Sequence, residues 1–444
     1  MKHAVSVTHE PWTPRLIQSQ PRSSRAICGI LALSFFLHFW RLDVPRQVVF
    51  DEVHYGKFVN SYCCTHARFF DVHPPLPKLL IATTGRLAGM DGTFSFESIG
   101  LNYGSQPVFW LRFWPAVVGT LLPVVSYYLL LELAVSPATA LLGALALTLE
   151  NATLVETRYI LLDGFLIFFI LGAMLFSLKA RRESLDWAAL AGACAAAACL
   201  TKFTGLVTAL CPIVFLFPLR KRSIQQLAAF LGTFIVIFLG TWLIHFRNQR
   251  LPGVGDAFII PTHNFFHDLV AYHKEMYRAN STITTGHPDA SRWWTWPILK
   301  TPPFYWTGSH RFIYLFGNVV LWWGSLVGMV LMVTHWLLGR LGRVKPLNLR
   351  PFGFAVLMYF AYYVPLWPIQ RPLFMYHYLV AVWLAVIANV AWLEHLGWLP
   401  RYKRAFLITV GVGFVIALPL TYGWEVPHKY LTFLYWRPEF FLKN

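Results

Sequence analysis

Apolar runs long enough to enter a bilayer recur along most of this chain, and they constrain it more than any motif does. A helix crossing the hydrocarbon core needs about 20 apolar residues. Eleven candidate spans can be marked, at 27–41, 107–131, 137–151, 157–178, 187–201, 203–218, 226–246, 312–338, 352–368, 374–393 and 405–423. The runs at 187–218 read as one long hairpin or as two broken spans. Composition agrees, with 57% of the 444 residues hydrophobic and 13% charged, where a soluble domain carries about 25% charge. A water-soluble globule, a disordered chain and a small disulfide scaffold are therefore excluded. The expected architecture is an all-α polytopic membrane protein, with a basic cytoplasmic tail at 1–26, a transmembrane domain over 27–424 and a tail at 425–444. No A-x-A-like cleavage site follows the first apolar run, so that run reads as an anchor rather than a removed signal.

The net charge of +17 sits between spans, where membrane orientation explains it better than a nucleic-acid partner does. Clusters such as Lys179, Arg181 and Arg182, or Arg220, Lys221 and Arg222, fall on one side. On that side only the link 132–136 lacks a basic residue, whereas the opposite links 152–156 and 369–373 hold a single one between them. This alternation predicts an inner N-terminus, an outer C-terminus and two long outer loops, 42–106 and 247–311. Within 54–88, Phe58, Tyr62, Phe69, Leu76, Leu79 and Leu80 recur at helical spacing, which predicts short helices lying at the interface. Both loops are dense in His, Asp, Trp and Pro, and chemistry is expected there.

Several classes find no support. There is no Walker loop or dinucleotide fingerprint. A secondary transporter would show internal repeats and midplane charges, and neither is evident. His263 and His267 stand at i, i+4, but no histidine pair is set beside a carboxylate as in known metal sites, so no metal is assigned. Cys28, Cys194, Cys199 and Cys211 read as small buried hydrophobes. Cys63 and Cys64 are adjacent in a polar loop, and neighbouring cysteines bridge only in a strained geometry, so two thiols are the first reading and a vicinal disulfide the second. Asn280-Ser281-Thr282 is a formal N-glycosylation sequon.

Some residues invite a chemical reading beside a structural one. Asp51 and Glu52, in FDEVHYGKF, end the first span, where carboxylates cost desolvation unless used or paired. They read as a general base with a neighbour orienting an acceptor, or as a solvated pair closing a helix. In HPPLPK, Pro74 and Pro75 stiffen the backbone between His73 and Lys78, which could serve phosphate recognition or simply start a helix. Arg112 lies inside an apolar run, and such an arginine faces an anion, a carboxylate or a water-filled cavity, or snorkels to the surface. Arg158 and Asp163 stand about 140° apart on a helix, each free to pair elsewhere. Lys202 in LTKFTG is a point charge for phosphate or an interface anchor. Arg292 beside WWTWP grips a phosphate or a sugar, or joins an aromatic belt.

Taken together, FDEVHYGKF, FFDVHPPLPKLL, FSFESIGLNY, FWLRFWPAVVG, ENATLVETRYILLDG, TKFTGL, HPDASRWWTWP and FMYHYLVAVW resemble, in order, the motifs of protein O-mannosyltransferases of the GT-C class. The resemblance runs from about residue 27 to about residue 424. It implies a GT-C fold with about eleven transmembrane helices, a polyprenyl-phosphate mannose donor and a Ser/Thr acceptor on a secreted or membrane protein. The family's acidic pair falls on Asp51 and Glu52, and its donor-associated arginine falls on Arg112. The His-Pro-Pro segment falls on His73, Pro74 and Pro75, and the later His-Pro and Trp-Pro segment on His287 and Trp296. Donor phosphate contacts are expected from Arg112, His73, Lys78, Lys202 and Arg292. Support is expected from His54, Pro74, Pro75, Arg158, Asp163, His287 and Trp296. Eukaryotic members carry a β-trefoil MIR domain in the second loop. Here that loop, 247–311, spans 65 residues and cannot hold one, which favours a bacterial enzyme facing the periplasm. Related transferases place sugars on lipid A, so a glycolipid acceptor is the alternative.

The implied chemistry is one displacement. A lipid phosphate leaves under charge stabilisation, Asp51 takes the hydroxyl proton, and the sugar inverts, as in the logic of an inverting glycosidase. The scheme requires no cofactor beyond the lipid-linked donor.

Overall fold

A computed structural model describes residues 21–182, 184–283, 286–349 and 352–434. Most of the expected N-terminal tail (1–20) and the end of the C-terminal one (435–444) lie outside these. The described part begins with α1 (Pro21–Phe39), then α2 (Glu52–Asn60), α3 (Leu76–Leu87), the single turn α4 (Val108–Leu111), α5 (Phe113–Glu132) and α6 (Pro137–Thr148). There follow α7 (Asn151–Glu156), α8 (Asp163–Ala180), α9 (Leu185–Cys199), α10 (Ile213–Leu216), α11 (Lys221–Asn248) and α12 (Phe265–Thr282). A hairpin of β1 (Phe304–Gly308) and β2 (Arg311–Tyr314) precedes α13 (Val319–Arg340), α14 (Gly353–Tyr363), α15 (Leu379–His395), α16 (Trp398–Tyr422) and α17 (His428–Leu434).

Every one of the eleven apolar runs holds a helix. Six helical stretches, at 113–132, 163–180, 221–248, 319–340, 375–395 and 398–422, are long and apolar enough to cross a membrane, and the other five runs hold shorter apolar helices. Local sequence sets several of the boundaries. Ser136 Oγ accepts from Thr139 N–H, with Pro137 at the first helical position of α6, a favourable N-terminal start. Gly423, at φ 63°, ends α16 in the left-handed region, where a residue without Cβ is preferred.

The bundle is organised around α15, whose residues Leu379 to Trp392 are all buried. A helix apolar on every face belongs in the interior, and α13, α14 and α16 pack against it. A second stack runs from α1 through α5 and α8 to α9 and α11. The two long loops meet at one end of the bundle. Arg68 pairs with Asp256 at 2.5 Å, Phe50 N–H donates to Tyr305 O at 3.0 Å, and Trp306 Nε1 donates to Gln47 Oε1 at 2.7 Å.

Three expectations need correction, and one open alternative is resolved. The run at 312–338 starts too early, because residues to Tyr314 belong to β2, so the fold is mostly helical rather than wholly so. Helix α1 begins at Pro21, inside the expected tail. Of the two readings of 187–218 the broken one holds for the stretch after α9, a 3-10 segment Phe203–Leu210 followed by α10. Cys63 and Cys64 form a disulfide in the π-helical turn after α2. The expected interfacial helices of 54–88 correspond to α2 and α3.

Candidate active site

The site is built on the segment that leaves α1 and delivers Asp51. Two buried arginines hold that segment by its backbone. Arg158 donates to Leu37 O, His38 O and Arg41 O at 3.1, 2.8 and 3.1 Å. Arg112 donates to Leu42 O, Pro45 O and Gln47 O at 3.3, 2.9 and 3.0 Å. The remaining two N–H groups of Arg112 form a fork on Glu52, Nε to Oε1 and Nη2 to Oε2, both at 2.9 Å.

An arginine has five N–H donors, and here all five end on protein acceptors in a side chain that is 0% exposed. Arg112 therefore has no donor left for a phosphate, and its expected contact with the donor is corrected to positioning of the loop. Glu52 is equally committed. It accepts from Val49 N–H, Ile160 N–H and Tyr103 O–H besides Arg112. Its expected part in orienting an acceptor is replaced by anchorage.

Asp51 is the contrast. Its neighbour turns inward, while its own carboxylate makes no hydrogen bond or ion pair among the described residues. The residue is half-buried, yet protein crowds it. Burial pushes its carboxyl up to about 6 from 3.8, against the pull of Lys202, with Asp163 raising it further, His287 lowering it and Asp71 raising it. A carboxylate with that affinity for a proton is suited to a general base near neutral pH.

The positive side of the site comes from several segments. Lys202 donates to Asp163 Oδ2 at 2.6 Å and lies 5.0 Å from the Tyr376 ring centroid. Asp163, expected as support, thus holds Lys202 rather than Arg158. Lys78 turns inward instead, paired with Asp71 and donating to His73 O and Pro74 O at 2.8 and 2.9 Å. An ammonium has three N–H donors, all used here, so Lys78 braces the His-Pro-Pro turn and its expected phosphate contact is corrected. Pro74 and Pro75 are buried at the start of α3. His73 is half-buried, and its pKa lies well below the ordinary value through burial and through the charges of Lys202, Lys78, Arg371 and His377. It is thus a neutral imidazole with an N–H to offer. His54 is exposed on α2.

The second loop packs beside this cluster. Ser291 N–H donates to Leu373 O at 2.8 Å, and buried Trp296 stacks on His377 with centroids 6.2 Å apart. His287 packs edge-on against Phe374 at 5.1 Å. Arg292 is exposed, its guanidinium 5.0 Å from the Trp294 ring centroid, and among the described residues no contact joins it to Lys202 or His73. Asn280 is half-buried in α12 and donates to Val72 O and Met276 O, so the formal sequon is occupied by structure.

Arg371 is one of two residues that sequence reasoning misses. It is half-buried, near Tyr376 and Tyr55, and its guanidinium makes no hydrogen bond or ion pair among the described residues. It was visible only as the one basic residue in two outer links. Its flanks, Gln370 and Pro372, carry no motif. Asp71, in FFDVHPP, went unassigned although it organises Lys78 and accepts from His73 N–H at 3.1 Å. Among the described residues no group of three metal-ligating side chains comes together.

The bundle can be compared with solved structures. It superposes on a chain of the Saccharomyces cerevisiae protein O-mannosyltransferase Pmt1–Pmt2 complex with a TM-score of 0.85, covering 94% of this chain and 92% of that one at 18% identity. ArnT from Cupriavidus metallidurans matches less closely, with a TM-score of 0.52, 19% identity and coverage of 89% and 63%. The fold is thus that of the GT-C membrane glycosyltransferases. Sequence narrows the class. The profile described as dolichyl-phosphate-mannose-protein mannosyltransferase matches residues 29–246, and that of the C-terminal four-helix region of protein O-mannosyltransferase matches 265–440. The chain belongs to the protein O-mannosyltransferase family. It is 32% identical over 281 residues to protein O-mannosyltransferase 1 of Drosophila melanogaster, covering 58% of this chain and 31% of the fly protein. It is 36% identical over 252 residues to protein O-mannosyl-transferase 2 of Danio rerio, covering 52% of this chain and 33% of the fish protein. These alignments span about a third of each relative's length.

Proposed function

We propose that this chain transfers mannose from a polyprenyl-phosphate or dolichyl-phosphate donor to Ser/Thr hydroxyls of proteins. Family membership supports the reaction class, and the unpartnered carboxylate of Asp51 beside Lys202 carries the mechanism. The acceptor oxygen attacks C1 of the mannose, the bond from C1 to the phosphate oxygen breaks, and the electron pair leaves on the lipid phosphate. Asp51 takes the hydroxyl proton late, as oxocarbenium character develops, and one displacement turns a β-linked donor into an α-linked product. Lys202, Arg371 and the neutral His73 offer charge and N–H groups to the departing phosphate. Asp163 fixes Lys202, while Glu52, Arg112 and Arg158 fix the backbone that leads into Asp51.

The proposed setting is a membrane crossed eleven times, with the N-terminus cytoplasmic, the C-terminus outside and both long loops on the outer face. In a bacterium that face is the periplasm. The match of eleven apolar runs to six long and five shorter apolar helices supports it, as does the meeting of the two loops at one end.

The experiment is transfer of labelled mannose from polyprenyl-phosphate mannose to a Ser/Thr-rich peptide by purified wild type and Asp51→Asn. Loss of a general base is worth about 10²–10⁴ in rate, and a drop of that size is the expected result. Equal rates for the two would remove Asp51 as base. Transfer to lipid A with none to peptide would replace the protein acceptor by a glycolipid.

A further inference from the structure

A second concentration of positive charge lies in a recess of about 190 Å³ where α1 and α16 end. Three arginines from separate parts of the chain line it. Arg41 comes from the segment after α1, Arg158 from the link between α7 and α8, and Arg311 from the first position of β2. Glu425 is the one acid in the lining, so the formal balance is three positive against one negative. None of the lining residues belongs to the cluster around Asp51.

The arginines are not spent on protein acids. Arg41 and Arg311 make no side-chain hydrogen bond or ion pair among the described residues. Arg158 is 1% exposed, its terminal nitrogens bonded to backbone carbonyls, and its Nε finds no acceptor. A desolvated guanidinium with no anion nearby is costly. The aromatic walls are already used by cations. Arg41 lies over Trp40 at 5.7 Å and Arg158 over Tyr422 at 4.5 Å. The recess is thus suited to an anion and unsuited to a cation. Its volume equals about six water-sized spaces of about 30 Å³, room for a phosphate and a glycerol-sized group.

The surroundings are those of a membrane interface. Trp40 packs edge-on against Tyr422 at 5.3 Å and Trp424 at 6.2 Å, and Trp and Tyr collect at headgroup depth. One turn back along α1, the Phe36 ring lies beside Trp40 with centroids 6.4 Å apart. Phe36, Phe35 and Leu31 are exposed, so an apolar strip of helix leads directly away from the basic recess.

We propose that this recess binds the phosphate of an anionic phospholipid, whose acyl chains lie along the exposed face of α1, at a site distinct from that of the sugar donor. An occupant would rest on Arg41, whose carbonyl is held by Arg158, and so on the same segment that carries Asp51.

The test uses the purified full chain in detergent, titrated with phosphatidylglycerol, with uncharged monogalactosyldiacylglycerol, or with inorganic phosphate, and followed by thermal unfolding and native mass spectrometry. Phosphatidylglycerol is expected to raise the unfolding temperature where the galactolipid does not. The double variant Arg41→Gln/Arg311→Gln, altered at exposed positions, is expected to bind phosphatidylglycerol at least tenfold more weakly. If inorganic phosphate at millimolar concentration gives the full effect, the lipid occupant is overturned and the recess is a site for the free anion. Glu425→Gln provides a second reading and is expected to tighten phosphatidylglycerol binding by removing a like charge. Equal response to the charged and uncharged lipids, a double variant that binds as wild type does, or weaker binding by Glu425→Gln would each overturn the proposal.

Discussion

Replacing Asp51 with asparagine should make the protein more stable while removing its chemistry. The carboxyl titrates at about 6 rather than 3.8, with burial as the first cause. That shift of about two units, at 1.36 kcal/mol each, means that holding the group ionised costs the fold up to ~3 kcal/mol. Asparagine is neutral at every pH and escapes that cost. Water reaches the half-buried carboxyl and screens part of the effect, so the expected gain at pH 7.5 is about 1–2 kcal/mol. The sign follows from proton counting. Between about pH 4 and 6 the native state still holds a proton that the unfolded chain has released, so wild-type stability falls as pH rises through this window and levels off above it. The gap between variant and wild type should accordingly be near zero at pH 4, open through pH 5 and stay constant above pH 6. Thermal unfolding of both proteins in detergent at four pH values from 4 to 7.5 would read it. A variant less stable than wild type at pH 7.5, or a gap that ignores pH, would refute the reasoning.

Three further outcomes are expected. The kcat/KM profile of transfer should lose activity on the acid side with an apparent pKa of about 6, set by Asp51, and stopped-time assays from pH 5 to 8 would show it. Arg112→Lys should fail to preserve the fold, because one ammonium cannot replace a fork on Glu52 plus three carbonyl contacts. Breaking such a buried pair costs about 3–5 kcal/mol, to be measured as loss of monodisperse protein on size exclusion. Arg371→Ala should leave the unfolding temperature unchanged, since no protein partner is lost, while raising the KM for the lipid donor about 10-fold or more, as expected for a charged hydrogen bond to phosphate.

The helices were legible because hydrophobicity is additive and local. Each apolar run announces itself without help from the rest of the chain, and all eleven hold helices. Boundaries were less legible where apolar sequence serves another structure, as at residues 312–314, which form a strand within the loop layer before α13 begins at Val319. The site was legible by residue type and poorly by role. Asp51 and Glu52 are adjacent and chemically alike, and only the partner sixty positions away at Arg112 decides which one faces the site. Lys78 and Lys202 look equally available in sequence, yet Asp71 and two carbonyls consume the first. Arg371 joins the cluster only because a short link folds back beside His73 and Tyr55, which no spacing rule records.

The grip of Arg112 and Arg158 on backbone carbonyls, from Leu37 to Gln47, separates where shape is specified from where it is expressed. Carbonyl oxygens are the same whatever side chain a residue bears. A change at Asp43, whose side chain makes only an exposed pair with Arg46 of little worth, should therefore be absorbed quietly, whereas single changes at 112 or 158 should release the whole stretch. In a mutational scan such a position would look permissive although it leads to the reacting group, and the intolerant positions would lie far along the chain, in the links at Arg112 and Arg158.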